Sequence, residues 1–182
     1  AQTHILVGQP GVKRGDSDYF PLYVGNHILG GGGMVSRLFE EIREKRGLSY
    51  SAYSYFSPML FKGPFTAGLQ TKTDQADEAL SVLLENIKNY IAQGPTEEEL
   101  IAAKKNITGG YPLRIDSNSK ILNYVVVIGY YKLPLDYLET FNNNVEAVTI
   151  ESIKDAFKRR LSPDKLVMVK VGVSSNKKSE DY

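Results

Sequence analysis

Four consecutive glycines, Gly30 to Gly33, constrain this chain more than any other feature. Glycine costs a helix or strand interior roughly 0.5–1 kcal/mol relative to alanine, so no regular element runs unbroken through four of them. The stretch Asn26–Tyr55, NHILGGGGMVSRLFEEIREKRGLSYSAYSY, therefore reads as a helix end, a glycine run, a second amphipathic helix, a glycine stop and a strand. Ser36 is a candidate N-cap for the second helix, with an earlier start left open, and Gly47 is a natural left-handed terminator. Leu38 and Ile42 form one i,i+4 row, Val35 and Phe39 the next, and Arg43 continues the latter. Past Gly47 the pattern alternates, with Tyr50, Ala52, Ser54 and Phe56 expected on one face and Ser51, Tyr53 and Tyr55 on the other. Arg43 and Tyr50 flank one chain reversal, where their tips are expected to meet at one end of the sheet. They are the candidate site.

The rest of the chain supplies elements around this stretch. Thr3–Val7 reads as a strand ended by Gly8 and the Pro10-Gly11 turn signal, and Lys13–Ser17 as polar loop. Asp18 opens a helical pattern through Tyr19, Leu22, Tyr23, Asn26 and Leu29. Ser57-Pro58 and Gly63-Pro64 bracket a turn before a second strand, Phe65 to Thr71, giving an antiparallel hairpin. Thr73 opens a helix that Gly94-Pro95 ends, and Thr96 with Glu99 forms a capping box for the next. Ser117 or Ser119 caps Lys120–Tyr131, although the β-branched run Val125 to Ile128 leaves a strand open. Pro134 starts a short helix towards Asn142, and Thr149 caps another through Leu161. Leu166–Val173 reads as a closing strand, expected to be buried because it is nearly continuous in apolar residues. The expected fold is α+β, an antiparallel sheet packed against a layer of helices, in one domain over 1–173 with a polar tail over 174–182.

Composition removes several functions. Basic and acidic residues number 22 and 21, a formal net charge of +1, and the cations are scattered, so neither nucleic acid nor an anionic membrane is an expected partner. Lys104-Lys105 and Lys158-Arg159-Arg160 read as solvated helix faces. The chain has no cysteine, which excludes disulfides, thiolate zinc sites and cysteine nucleophiles. No apolar run is long enough for a membrane span, and no leader is visible. Because the chain opens on Ala1 rather than Met, it is expected to be trimmed or cut from a longer one. A soluble protein is expected, exported or periplasmic or cytoplasmic, with the mitochondrial matrix ranked below these. His4 and His27, the only histidines, lack partners at zinc-ligand spacing and read as surface or satisfied structural residues, so no metal is expected on this chain. The glycine run follows a helix and lacks Gly-Lys-Ser/Thr, which argues against a phosphate loop. It reads either as a flexible connection or as bare backbone against which an extended peptide can lie.

Several of these residues carry a resemblance. Asp18-Tyr19, Asn26 to Gly31, Ser36-Arg37-Leu38 and Arg43-Glu44-Lys45-Arg46-Gly47-Leu48-Ser49-Tyr50 resemble the pitrilysin/insulinase family of zinc metallopeptidases, which includes the mitochondrial processing peptidases. The arginine followed seven positions later by a tyrosine, with Gly-Leu between, is its most telling piece. The resemblance implies two homologous halves closing around an extended peptide. One carries H-x-x-E-H and the zinc; the other is metal-free and supplies an arginine and a tyrosine that hold the substrate. This chain lacks H-x-x-E-H and matches the second kind, so the resemblance gives Arg43 and Tyr50 the substrate-holding positions and zinc to a partner domain or homologous subunit. The chain alone is then expected to be inactive, and an apolar face normally covered by the partner is expected to cause weak self-association. The rival expectation is an inactive family member serving as a scaffold or assembly subunit.

Overall fold

The computed structural model describes residues 1–172; Val173 and the tail expected over 174–182 lie outside the described residues. Strands β1 (Gln2–Pro10), β2 (Ser49–Phe56), β3 (Pro64–Lys72) and β4 (Val167–Val171) form one sheet in the order β2-β3-β1-β4. Every neighbouring pair is antiparallel. The register sets Ile5 opposite Leu69 and Val7 opposite Ala67, with Ala52 on the far side of Leu69. These side chains share one buried face. Because strand side chains alternate, this row of apolar residues defines the side on which helices pack.

Among the described residues, seven α-helices are interleaved with the strands: α1 (Tyr19–Asn26) and α2 (Arg37–Phe39) lie between β1 and β2, and α3 (Ala76–Gln93), α4 (Glu97–Gly110), α5 (Asn118–Tyr131), α6 (Tyr137–Glu146) and α7 (Ile150–Arg160) between β3 and β4. The sheet with its helical layer is the expected α+β architecture. Sequence signals set many ends. Thr96 and Glu99 form the capping box of α4, and Thr149 caps α7 in a box completed by Ser152. Gly94 ends α3 at a φ of 73°. The segment from Asn118 is helical: Ser117 accepts from the Lys120 amide, and Lys132 closes α5 in the left-handed region. Helix α6 begins three residues after Pro134 and runs on to Glu146.

Two surface expectations are overturned. The closing strand forms, but all five residues of β4 are exposed rather than buried. Among the described residues it is an edge strand paired only with β1, so no strand covers its outer side. The run Lys158-Arg159-Arg160 is not merely solvated. Arg159 and Arg160 both grip the carboxylate of Asp18, at 2.7 and 2.5 Å, and Arg160 also reaches Asp16 at 2.8 Å. This clamp ties the end of α7 to the start of α1, and the Arg159 guanidinium holds the Asp18 carboxyl below its ordinary pKa.

Candidate functional site

The approach to β2 is built by a turn that few residues other than glycine tolerate. α2 widens into a π-helical turn over Glu40–Glu44, with the Lys45 amide donating to the Glu40 carbonyl at 2.9 Å. Gly47 then takes a φ of +62°, which lets its amide reach the Arg43 carbonyl and the Leu48 amide reach the Ile42 carbonyl, both at 2.9 Å. Leu38 and Ile42 are fully buried, whereas Val35 is exposed and only Phe39 of its row is covered. Arg43 lies over the Phe39 ring, 4.8 Å from its centroid, and its one carboxylate neighbour is exposed Glu44 at 3.7 Å.

The expected alternation fails at the start of β2. Ser49 pairs with Thr71 and Ala52 with Leu69, so one extra residue is inserted between them. Ser49 turns inward, its hydroxyl donating to the carbonyls of Ser51 and Gln70. Tyr50 is thrown outward at 86% exposure instead of sharing a face with Ala52 and Ser54. Arg43 and Tyr50 border one depression of about 400 Å³, together with Gln70, Lys72 and Gln75.

The glycine run is occupied largely by the chain itself. A Cβ on Gly30 would sit 2.5 Å from the Ser54 amide nitrogen, because the π turn over His27–Gly31 presses against β2. The buried Asn26 side chain seals that contact, donating to the Ser54 carbonyl at 2.9 Å and accepting from its hydroxyl at 2.7 Å. Gly31 and Gly32 are crowded by Asn26 and His27, and only Gly33, at a φ of +63°, faces open space. The close backbone approach is thus mainly to β2.

Farther along β2 lies a larger cavity, of about 530 Å³, walled by α1, the π turn and Tyr53 and Tyr55. It contains Arg14, His27 and Arg114, which sequence reasoning did not select. His27 is not a satisfied histidine: its Nε2 is buried without a partner, and burial, reinforced by Arg114, lowers its pKa. His4 stands exposed on β1. Among the described residues no three His, Cys, Asp or Glu side chains converge to hold a metal ion. The row Tyr19, Tyr23, His27 was the one sequence signal for this cavity. Arg114, 91 residues from its partner Tyr23, gave none.

Comparison with known proteins bears on these features. The family model described as peptidase M16 inactive domain matches residues 1–107. A protein called non-peptidase homolog YmxG, from Helicobacter pylori, is 35% identical over 82% of this chain and 34% of its own length. An uncharacterized zinc protease YmxG from Bacillus subtilis is 30% identical over 96% of this chain and 42% of its own length. The crystal structure of a peptidase M16 inactive domain from Pseudomonas fluorescens superposes with a TM-score of 0.89 and 39% identity, covering 96% of this chain and 42% of that one. The chain therefore spans about a third to two fifths of these relatives. With a matching family model over more than half its length and this fold, the chain belongs to the peptidase M16 inactive-domain family.

Proposed function

We propose that this chain is the metal-free, substrate-binding half of a zinc metalloendopeptidase, in which Arg43 and Tyr50 hold an extended peptide. The observation that supports the reading is their placement: both border one open depression at the bulged start of β2, Tyr50 is exposed, and the one carboxylate beside Arg43 among the described residues, that of Glu44, is exposed as well. Zinc and its activated water come from another domain or a homologous subunit. Hydrolysis there develops negative charge on the scissile carbonyl oxygen, and donors on the opposite side stabilise it. A guanidinium remains charged at any working pH and a phenol adds a short, rigid donor. The apolar surface left open on α5 and β4 is where the zinc-bearing portion packs.

The test combines the chain with its zinc-bearing portion and follows peptide cleavage. Arg43→Ala and Tyr50→Phe are each expected to lower turnover on the order of 100- to 1,000-fold while leaving the fold unchanged. Unaltered turnover in both variants removes their assigned role. A second reading, an inactive scaffold subunit, is favoured by one observation: the Helicobacter relative is called a non-peptidase homolog. In that case the combined protein cleaves nothing at any peptide concentration.

A further inference from the structure

Five of the seven arginines pair with carboxylates: Arg37, Arg43, Arg46, Arg159 and Arg160. The two left, Arg14 and Arg114, have no carboxylate within reach among the described residues, and both line the 530 Å³ cavity. Among the described residues, no Asp or Glu lines it. Tyr19, Tyr23 and His27 form an i,i+4 row along α1 into the π turn, and this row organises the arginines. The Tyr19 and Tyr23 rings stack at 5.9 Å. Arg14 donates to the Tyr19 hydroxyl at 3.2 Å, and Arg114 to the Tyr23 hydroxyl at 2.7 Å. Two cations are thus held side by side by neutral phenols alone.

Two buried nitrogens in the same place have no hydrogen-bond partner among the described residues, Nε of Arg14 and Nε2 of His27. A partly buried guanidinium with only neutral partners is poorly compensated, and an oxyanion is the group that compensates it best. The cavity is larger than a bare inorganic anion requires, and its opposite wall is the stacked pair Tyr53 and Tyr55, 5.9 Å apart. Its ligand therefore has an organic body beside the charge. The cavity also lies along β2 from the depression at Tyr50, its lining residues Tyr53 to Phe56 standing three to six positions on, or roughly 10–20 Å away at the rise of a strand.

We propose that this cavity binds the C-terminal carboxylate of a peptide, with Arg14 and Arg114 as its cationic partners, His27 as a further polar contact and the tyrosines around the terminal side chain. The choice of a peptide rests on the peptidase reading; the choice of an oxyanion does not. Short peptides ending about three to six residues beyond the Tyr50 depression would then be held at both ends.

Calorimetric titration of the 182-residue chain tests this without any zinc-bearing partner. The probes are tetra-alanyl-phenylalanine with a free carboxylate, its C-terminal amide, and inorganic phosphate. The free acid is expected to bind roughly 10- to 100-fold more tightly than the amide. Arg14→Gln and Arg114→Gln are each expected to abolish most of that difference, with thermal melting as the check on folding. Arg114→Gln, on an exposed turn, keeps the test decisive if Arg14→Gln unfolds. Phosphate displacing the free acid supports the site. Equal binding of acid and amide, or phosphate binding with no peptide binding, overturns the proposal. The substrate-holding role is read from cleavage with the zinc-bearing portion and this site from the acid-to-amide ratio of the chain alone, so failure of one and failure of the other give different results.

Discussion

Helices α3 and α5 both carry abundant apolar side chains, and the fold treats them oppositely. α3 buries Ala76, Ala79, Leu83, Ile87 and Tyr90 in a stripe against the sheet and α7. α5 contains the unbroken run Tyr124 to Ile128, yet only Ile128 is buried, while Leu122 is 61% and Val126 59% exposed. The difference is one of pattern. Apolar residues three and four apart select a single face that a sheet can cover; a continuous run encircles the helix, and one neighbouring layer covers only part of it. Apolar content by itself does not decide burial.

The largest effect that sharpens this contrast is a cavity in α3. Leu83→Ala is expected to cost about 2–5 kcal/mol, because Leu83 is fully buried, whereas Leu122→Ala on α5 should cost within about 0.5 kcal/mol. Chemical denaturation measures both, and equal losses would show that α5 is covered in solution.

The next effect concerns the clamp that locks the α3 side of the molecule by joining α7 to α1. Asp18→Asn is expected to lose about 1–3 kcal/mol, since it leaves Arg159 and Arg160 without their shared carboxylate. Asp18 has a depressed pKa in the fold, so its stabilisation is complete above the unfolded value near 3.8 and is lost as pH falls through the folded value. Stability followed from pH 7 to pH 2 should therefore show a weaker acid limb in the variant. An unchanged acid limb would mean that the clamp contributes nothing.

The smallest expected stability change comes with a clear change in association. Leu122→Glu with Val126→Glu should alter unfolding by no more than about 1 kcal/mol in sum and reduce self-association of the isolated chain in light scattering. A chain that is strictly monomeric before substitution would break the comparison, because α5 would then present no adhesive surface.

Some features were legible because they depend on neighbours in sequence. The capping box at Thr96 and Glu99, the left-handed stop at Gly47 and the hairpin between Ser57 and Pro64 are each set by backbone chemistry within a few residues. Arg43 and Tyr50 were singled out from their positions about Gly47 and from the family resemblance. The bulge that turns Tyr50 outward was not legible, since it arises where Ser49 bonds to the Gln70 carbonyl, 21 residues away. The burial assigned to β4 was wrong for a related reason: its apolar run gave its strand character but not its place at the sheet edge.

What the sequence alone determined was local: the caps and stops at Thr96, Thr149, Gly47 and Gly94, which faces of α3 and β3 are apolar, and the absence of any cysteine chemistry. Tertiary structure alone decided which distant groups meet. Asp18 finds Arg159 across 141 residues, and Arg14 and Arg114 converge on one cavity without a carboxylate between them. Charges pair through space at a few ångströms, whereas sequence spacing constrains distance only within a turn or two of regular backbone.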